Sequence, residues 1–194
     1  MRLAYKAFAP GLICRGVAFK PIGEVNVTDA ANCARNGWHC AEDPADCLRY
    51  YPDFKNSVYT IVSVGGDVDE DAVDSKISCT ELTILRVLEP ADYLLHILLY
   101  MAKHPERECF AAKQGRGEAR NGYVVVRGQQ PYAKGQEGDL LAMAREENGE
   151  IVQIAVHRCG IDVPEGIYVD IDGIAEDEGA AGASPRLTWK GDRR

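Results

Sequence analysis

The stretch Asn36-Gly37-Trp38-His39-Cys40-Ala41-Glu42-Asp43-Pro44 is the most informative in the chain, because it holds two local structural signals. Its first two residues tolerate a positive φ, so we expect them to end a short helical turn over residues 30–34. Its last two residues predict the start of a helix, because aspartate caps a helix N-terminus and proline fits the first helical position. The loop between these signals carries His39, which titrates near neutral pH and can act as an acid, a base or a hydrogen-bond donor.

Strands and one long helix are predicted outward from this stretch. Residues 3–8 alternate in the manner of a strand, residues 58–64 are β-branched and stop at Gly65-Gly66, and residues 77–88 form a long alternating run. Glu89-Pro90 then opens a helix through about residue 101, with an apolar stripe along one face. We therefore expect an α+β domain over residues 1–104, in which two or three helices accompany a mixed or antiparallel sheet.

The character of the chain changes after about residue 107. Glycines recur six or seven residues apart, at Gly115, Gly122, Gly128 and Gly135. This spacing fits a short solenoid of two or three rungs, and it fits glycine turns between ordinary hairpins equally well. Asn148-Gly149 then predicts a tight β-hairpin. We expect a small all-β section over residues 105–174, packed on the first domain, and a flexible tail over residues 175–194.

Composition narrows the class of partner and the compartment. The net charge is −8 and the sequence pI is about 5.0, so we expect no nucleic-acid partner, because an acidic surface repels phosphate. The chain has no run of about 18 apolar residues, so we expect no membrane-spanning helix. Its first residues lack the apolar centre of a signal peptide, and we expect a cytoplasmic protein with seven free cysteines.

Motifs for metals and cofactors are weak. Cys33, His39, Cys40 and Cys47 lie close in sequence, but a structural zinc site usually has paired ligands two to four residues apart at both ends. The run Asp67-x-Asp69-x-Asp71 copies the start of a calcium loop, but Ala72 and Ser78 stand where that loop needs glycine and glutamate. No G-x-S-x-G, phosphate-binding loop or H-E-x-x-H occurs. We therefore expect no metal and no cofactor.

Several segments carry a family likeness. The order Tyr5-Lys6-Ala7-Phe8, Cys14-Arg15-Gly16, Gly37-Trp38-His39 with Glu42-Asp43-Pro44, and Tyr50-Tyr51-Pro52 resembles an uncharacterised bacteriophage and prophage domain family. The likeness spans most of residues 3–170, and it departs at Ala7, where that family usually has glycine. Because the family has no agreed activity, the resemblance implies a mobile-element origin and no particular chemistry.

A second, more remote similarity concerns enzymes. Some ADP-ribosyltransferase-like domains carry a Tyr or Arg on the first strand, a Gly-aromatic segment before a helix, and a later Glu. Tyr5 or Arg15, His39 and Glu81 fall in a comparable order here. The resemblance would make His39 and Glu81 catalytic candidates, and it would assign ligand binding to Tyr5, Arg15, Trp38, Tyr50 and Tyr51.

Two function classes remain open at this point. The first is an accessory protein that binds an unknown protein partner or a second copy of itself, possibly through the glycine-spaced section. The second is a small nucleotide-binding or ADP-ribosyltransferase-like enzyme centred on His39. A concave pocket that holds His39, Tyr5 and Glu81 together would favour the enzyme.

Overall fold

Strands dominate the computed structural model, which describes residues 2–33, 35–70 and 74–176. Eleven strands and two helices occur in these ranges. The expected α+β class, with two or three helices followed by an all-β section, is therefore wrong. The protein is mainly β, and its strands form several sheets. Neither of the two helices is long and apolar enough to cross a membrane.

The first sheet closes on itself. It contains β1 (Arg2–Phe8), β4 (Val25–Val27), β5 (Trp38–Ala41), β6 (Val58–Glu70) and β7 (Lys76–Leu88), which all pair antiparallel. Strand β1 pairs with β5 and β6, and β7 pairs with the same two strands, so these four form a ring. Inward residues of the four strands fill one core, which includes Ala4, Phe8, Cys40, Val62, Ile77, Cys79, Leu82 and Ile84.

A small hairpin folds back on this ring. Its strands are β2 (Ile13–Cys14) and β3 (Val17–Ala18), and it follows directly after β1. The next residue, Phe19, is buried and packs edge-on against Phe8 and Trp38, with ring centroids 4.9 and 4.7 Å away. The hairpin is thereby anchored to the ring core.

Helix is scarcer than the sequence signals predict. The expected helical turn near residue 30 is instead a turn with a bridge between Asn32 and Asn36, and Ala34 lies outside the described residues. Helix α1 (Pro44–Cys47) is one turn, capped as predicted by Asp43, whose Oδ1 accepts a hydrogen bond from the Ala45 amide at 2.9 Å. Short segments do not sustain helices by themselves, because nucleation orders several residues for one hydrogen bond. Helix α2 (Pro90–Lys103) has a long buried stripe, and it confirms the helix that was predicted to begin at Glu89-Pro90.

Strand β6 continues past the two glycines that were expected to end it. It runs to Glu70, and its register with β7 shifts between Gly65 and Val68. The glycines therefore mark a β-bulge instead of a strand end. Consequently Asp67 and Asp69, the first two aspartates of the partial calcium-loop motif, belong to the strand, whereas Asp71 lies outside the described residues.

The second sheet combines stacked parallel strands with a hairpin. Strands β8 (Ala112–Glu118), β9 (Tyr123–Lys134) and β10 (Leu140–Glu147) pair in parallel, and β11 (Glu150–Arg158) is antiparallel to β10. Consecutive parallel strands are the arrangement of solenoid rungs. A Cβ on Gly128 would lie 3.2 Å from the Gly115 backbone, so glycine allows these rungs to approach. The Asn148-Gly149 turn between β10 and β11 confirms the predicted hairpin.

Helix α2 lies between the two sheets. Its buried side chains share one core with Ala7 and Tyr59 of the first sheet and with Leu140 and Ala142 of the second. Residues on both sides of position 104 thus contribute to the same core, and the predicted boundary there stays a prediction. The predicted tail beyond residue 174 lies outside the described residues, except for residues 175 and 176.

Candidate functional site

The candidate residues that the sequence singled out lie in different places. Tyr5 faces α2, where its hydroxyl is 2.9 Å from His96 Nδ1. Glu81 is exposed on β7, opposite Val27 and Gly65 in register. His39 lies on β5. Neither of the two best-defined cavities in the described part of the chain is lined by His39, Tyr5 or Glu81. These two cavities give the enzyme grouping no support, and the catalytic roles stay predictions.

Two aromatic candidates have opposite surroundings. Trp38 packs against Phe19 at the edge of the ring core, and its buried indole Nε1 has no hydrogen-bond partner among the described residues. Tyr50 is 64% exposed, so it is available to an outside partner. Neither residue is positioned by the other.

Lys6 occupies an unexpected position inside the ring. It lies between Ala4 and Phe8 on the inward face of β1 and is only 5% exposed. Its Nζ donates to the His39 carbonyl at 2.6 Å and to the Cys14 sulfur at 3.7 Å. It also lies 5.2 Å from the Phe8 ring centroid and 5.1 Å from that of Phe19. None of the described carboxylates forms an ion pair with this ammonium.

The β2–β3 hairpin places Cys14 against this ammonium. Arg15 and Gly16 form the two-residue turn, with φ values of 50° and 80°. Two successive positive φ angles match the twist of a tight hairpin but are costly for arginine. Tyr51 comes from the loop after α1 and lies close to Cys14. Burial raises the pKa of Tyr51, and the neighbouring Cys14 raises it further, so the phenol stays protonated as a donor.

The His39 carbonyl makes a shorter hydrogen bond than the His39 ring does. Its carbonyl accepts from Lys6, while its half-buried ring has Nε2 3.3 Å from the Asn32 carbonyl. Burial lowers the pKa of His39, the Asn32 hydrogen bond opposes this, and the nearby charges of Lys6, Lys76 and Arg15 lower it further. The ring is therefore held in its neutral form at neutral pH. We call Lys6, Cys14, Arg15, His39 and Tyr51 the thiol site.

A second charged cluster surrounds α1. Asp43 and Asp46 are buried, and Arg107 reaches both of them: its Nε is 3.3 Å from Asp43 Oδ2, and its Nη2 is 3.3 Å from Asp46 Oδ2. The Ser75 hydroxyl donates to Asp46 Oδ2 at 2.7 Å and accepts from the Asp43 amide at 2.9 Å. Arg49 Nε adds a contact to Asp46 Oδ1 at 3.3 Å. We call these five residues the aspartate cluster.

The carboxylate of Asp43 is not fully compensated. Burial raises the pKa of Asp43 most strongly, and the charge of Asp46 raises it further. The Ala45 amide and the Arg107 guanidinium act in the opposite direction. Paired carboxylates of this kind can serve acid–base chemistry, but ion-pair networks that only hold a fold also perturb pKa values.

A groove runs beside the aspartate cluster. It encloses about 210 Å³, and its lining is strongly polar. Its charged side chains are three cations and three carboxylates: Arg2, Lys76, Arg107, Glu42, Glu70 and Asp74. Arg2 already pairs with Glu42 at 2.8 Å and with Glu70. The groove therefore carries no net charge that would select an anionic or a cationic ligand.

The cysteines are free thiols in five buried and two half-buried positions, the latter being Cys14 and Cys109. Cys33, which was weighed as a zinc ligand, donates instead to the Asp69 carbonyl at 3.0 Å. No group of three His, Cys, Asp or Glu residues in the described ranges has the arrangement of a metal site.

Sequence reasoning missed the central residues of both clusters. Lys6 and Cys14 were quoted only as parts of motifs, although one signal was available. A lysine at the inward position of a strand between Ala4 and Phe8 conflicts with the alternation of that strand. Arg107 had no comparable signal, since it lies more than sixty residues along the chain from Asp43.

Comparison with known proteins finds one similarity, over part of the chain, and it supplies no activity. A domain of unknown function, DUF7666, is found over residues 2–96. This range covers the whole first sheet and the first half of α2. No curated protein and no solved structure matches the chain.

Proposed function

We propose that this chain is a cytoplasmic accessory protein of a bacteriophage or prophage, and that it acts by binding a second copy of itself through strand β11. The phage origin rests on the sequence resemblance alone. The binding role rests chiefly on one observation, the unpaired outer edge of β11. We expect neither nucleic acid nor membrane lipid as a partner, in line with the acidic composition.

The edge of β11 has the features of a pairing surface. The strand is nine residues long and lies at one end of its sheet. Within the described ranges, the backbone of residues 150–157 bonds only to β10. The segment 151–156 is Ile-Val-Gln-Ile-Ala-Val, without the lysine or proline that often protects an exposed edge. A single bulge at Val152 shifts its register with β10, and the regular part of the edge runs from Gln153 to Arg158. Such an edge is a template for another strand.

The sequence of β11 is complementary to itself in the antiparallel direction. If two copies pair about a twofold axis at Ile154, Glu150 of each copy lies opposite Arg158 of the other. Val152 then lies opposite Val156. Opposite charges and β-branched residues facing each other both favour antiparallel pairing, and a twofold axis makes each contact occur twice.

Neighbouring side chains extend the apolar surface. Helix α2 packs against β11 and leaves Leu95 and Leu99 39% and 42% exposed. Val152 on the strand itself is 49% exposed. A second copy paired along the edge would give this apolar area a place to be buried.

Charge exchange provides the sharpest test. Sedimentation equilibrium of the wild-type chain should give a concentration-dependent dimer. Glu150→Arg and Arg158→Glu each place like charges opposite one another twice, so each should weaken the dimer by about tenfold. The double variant restores opposite charges and should recover wild-type affinity.

An apolar control completes the design. Val152→Lys should dissociate the dimer, whereas Val27→Lys, at a 62% exposed valine of β4, should leave it intact. A wild-type chain that stays monomeric, or a dimer that none of the β11 variants weakens, would refute pairing through β11.

A further inference from the structure

We infer that Cys14 is a nucleophilic thiol, that Lys6 holds its thiolate, and that the site reacts with low-molecular-weight disulfides to form a mixed disulfide. This inference does not depend on self-association through β11. It is built from the position of one buried ammonium and the side chains that converge on it.

The first step concerns the charge of Lys6. An ammonium buried in a core needs an anionic or polar partner, since its water shell has been removed. The described surroundings of Lys6 offer the His39 carbonyl, two aromatic rings and the Cys14 sulfur. Of these, only Cys14 can carry a negative charge. The Cys14 sulfur, 3.7 Å from the ammonium, is therefore the group on which Lys6 can stabilise developing negative charge.

The second step concerns the other neighbours of the sulfur. The Tyr51 hydroxyl lies close to Cys14, and the pKa of Tyr51 is raised by burial and by Cys14, so this phenol can donate to a thiolate that forms there. Arg15 is next to Cys14 in the hairpin turn and is exposed. Its guanidinium adds positive charge on the solvent side. Strand β1, the hairpin and the loop after α1 thus bring Lys6, Arg15 and Tyr51 to the sulfur, and the hairpin itself contains no carboxylate.

The third step is access, which separates Cys14 from the other thiols. Cys33, Cys40, Cys47, Cys79 and Cys159 are buried, and burial raises the pKa of Cys47 to about 11. A hydrogen bond with Cys40 lowers the pKa of Cys79, but the Cys79 side chain is fully buried. Only Cys14 and Cys109 are half-buried.

Cys109 provides a natural control within the same chain. It lies near Asp43 and Asp46, whose charges Arg107 already pairs, and burial, with those carboxylates, raises its pKa. The two half-buried thiols therefore differ in their neighbours: the Lys6 ammonium donates directly to Cys14, whereas the cation near Cys109 is already paired with two carboxylates. Cys14 should react and Cys109 should not.

The reaction is a thiol–disulfide exchange. The Cys14 thiolate attacks one sulfur of the disulfide, a new S–S bond forms, and the old S–S bond breaks. The departing sulfur leaves with the electron pair as a thiolate and takes a proton from water. One disulfide is consumed and one is formed, so no further oxidant is needed.

The experiment uses the full chain and glutathione disulfide as the probe. After acid quenching, peptide mass spectrometry should locate one glutathione adduct, on Cys14, that dithiothreitol removes. Lys6→Met keeps the length of the side chain without the charge, and it should slow adduct formation at Cys14 by at least about tenfold. Cys109→Ser should react at the wild-type rate.

Each result decides the inference. Equal labelling of Cys14 and Cys109 in the wild-type chain would refute it, whether or not Lys6→Met folds. An unchanged Cys14 rate in a Lys6→Met chain with an unchanged unfolding midpoint would refute the role of Lys6. Tyr51→Phe provides a second variant, because it removes only the donor hydroxyl and should slow the same adduct.

Discussion

The thiol site and the aspartate cluster both bring charge into the interior, and they treat it differently. Asp43 and Asp46 meet a guanidinium, a hydroxyl and backbone amides. Lys6 meets a carbonyl, a thiol and two rings, with no carboxylate among the described residues. A compensated cluster ties separate segments together. An ammonium without a carboxylate stabilises the fold little, and it is better suited to holding an anion on a neighbouring group.

The largest expected effect comes from removing Arg107. Arg107→Gln leaves two buried carboxylates without their shared cation, so the free energy of unfolding should fall by about 2 to 4 kcal/mol. The expected loss is no larger than the usual cost of breaking a buried ion pair, because the Arg107 side chain is 37% exposed and water partly screens its charge. Urea unfolding measures the change. Arg86→Gln, in an exposed pair with Asp92, is the matched control and should cost less than about 1 kcal/mol. Equal losses would mean that the aspartate cluster does not stabilise the fold.

Removing the Ser75 hydroxyl should have the next largest effect. Ser75→Ala deprives Asp46 of a donor and the Asp43 amide of an acceptor, and unpaired buried groups of this kind cost about 1 to 3 kcal/mol. Ser75→Thr keeps the hydroxyl and should recover most of that loss. Thermal unfolding of both variants gives the comparison, and a Thr variant as unstable as the Ala variant would point to packing instead.

The pH dependence of Asp43 should be smaller. Burial raises the pKa of Asp43 in the folded state above its ordinary value of 3.8. At pH values just above 3.8 the folded chain therefore keeps a proton on this carboxyl that the unfolded chain has released, and folding takes up a proton. The contribution of Asp43 to the free energy of unfolding therefore decreases with rising pH in that window. Asp43→Asn keeps the cap and should flatten this slope, with a change at neutral pH below about 1 kcal/mol.

Asp53 supplies the control for that titration. Its hydrogen bonds with Asn56 and Lys55 lower the pKa of this exposed carboxylate, so its contribution is lost as the pH falls below 3.8. Asp53→Asn should leave the slope above 3.8 unchanged. A slope that survives in Asp43→Asn would assign the proton uptake to another group.

The smallest expected effect is on stability at Lys6. Replacing a buried, poorly compensated charge with an apolar side chain of similar length is often neutral or stabilising, so Lys6→Met should not lower the free energy of unfolding. Urea unfolding of Lys6→Met and of Arg107→Gln under the same conditions compares the two changes in the free energy of unfolding. A loss above about 2 kcal/mol would show that Lys6 stabilises the fold as the aspartate cluster does.

Prediction from sequence succeeded where the deciding interaction is local. The Asp43 cap, the apolar stripe of α2 and the Asn148-Gly149 turn each depend on a few neighbouring residues. The errors concern elements whose partner lies elsewhere. The segment near residue 30 fails as a helix, and β6 continues past Gly65-Gly66 because β7 pairs with it beyond the bulge.

The candidate sites divide in the same way. The loop with His39 could be recognised from its residue types, but whether its ring or its carbonyl matters depends on Lys6, which lies 33 positions away in the chain. The contact between Cys14 and Tyr51 requires the β2–β3 hairpin to fold back on the ring. Spacing along the sequence contains no information on such approaches.

The sequence by itself determined the acidic charge, the free thiols, the turn and cap positions, and the identity of the strands with strong alternation. These properties follow from composition and from neighbours within a few residues. Only the tertiary structure decided that the first sheet closes into a ring, that β8 to β10 stack in parallel, and that a lysine beside His39 meets Cys14. Strand partners and buried charge pairs are chosen by the burial of the whole chain, and that choice depends on every segment together.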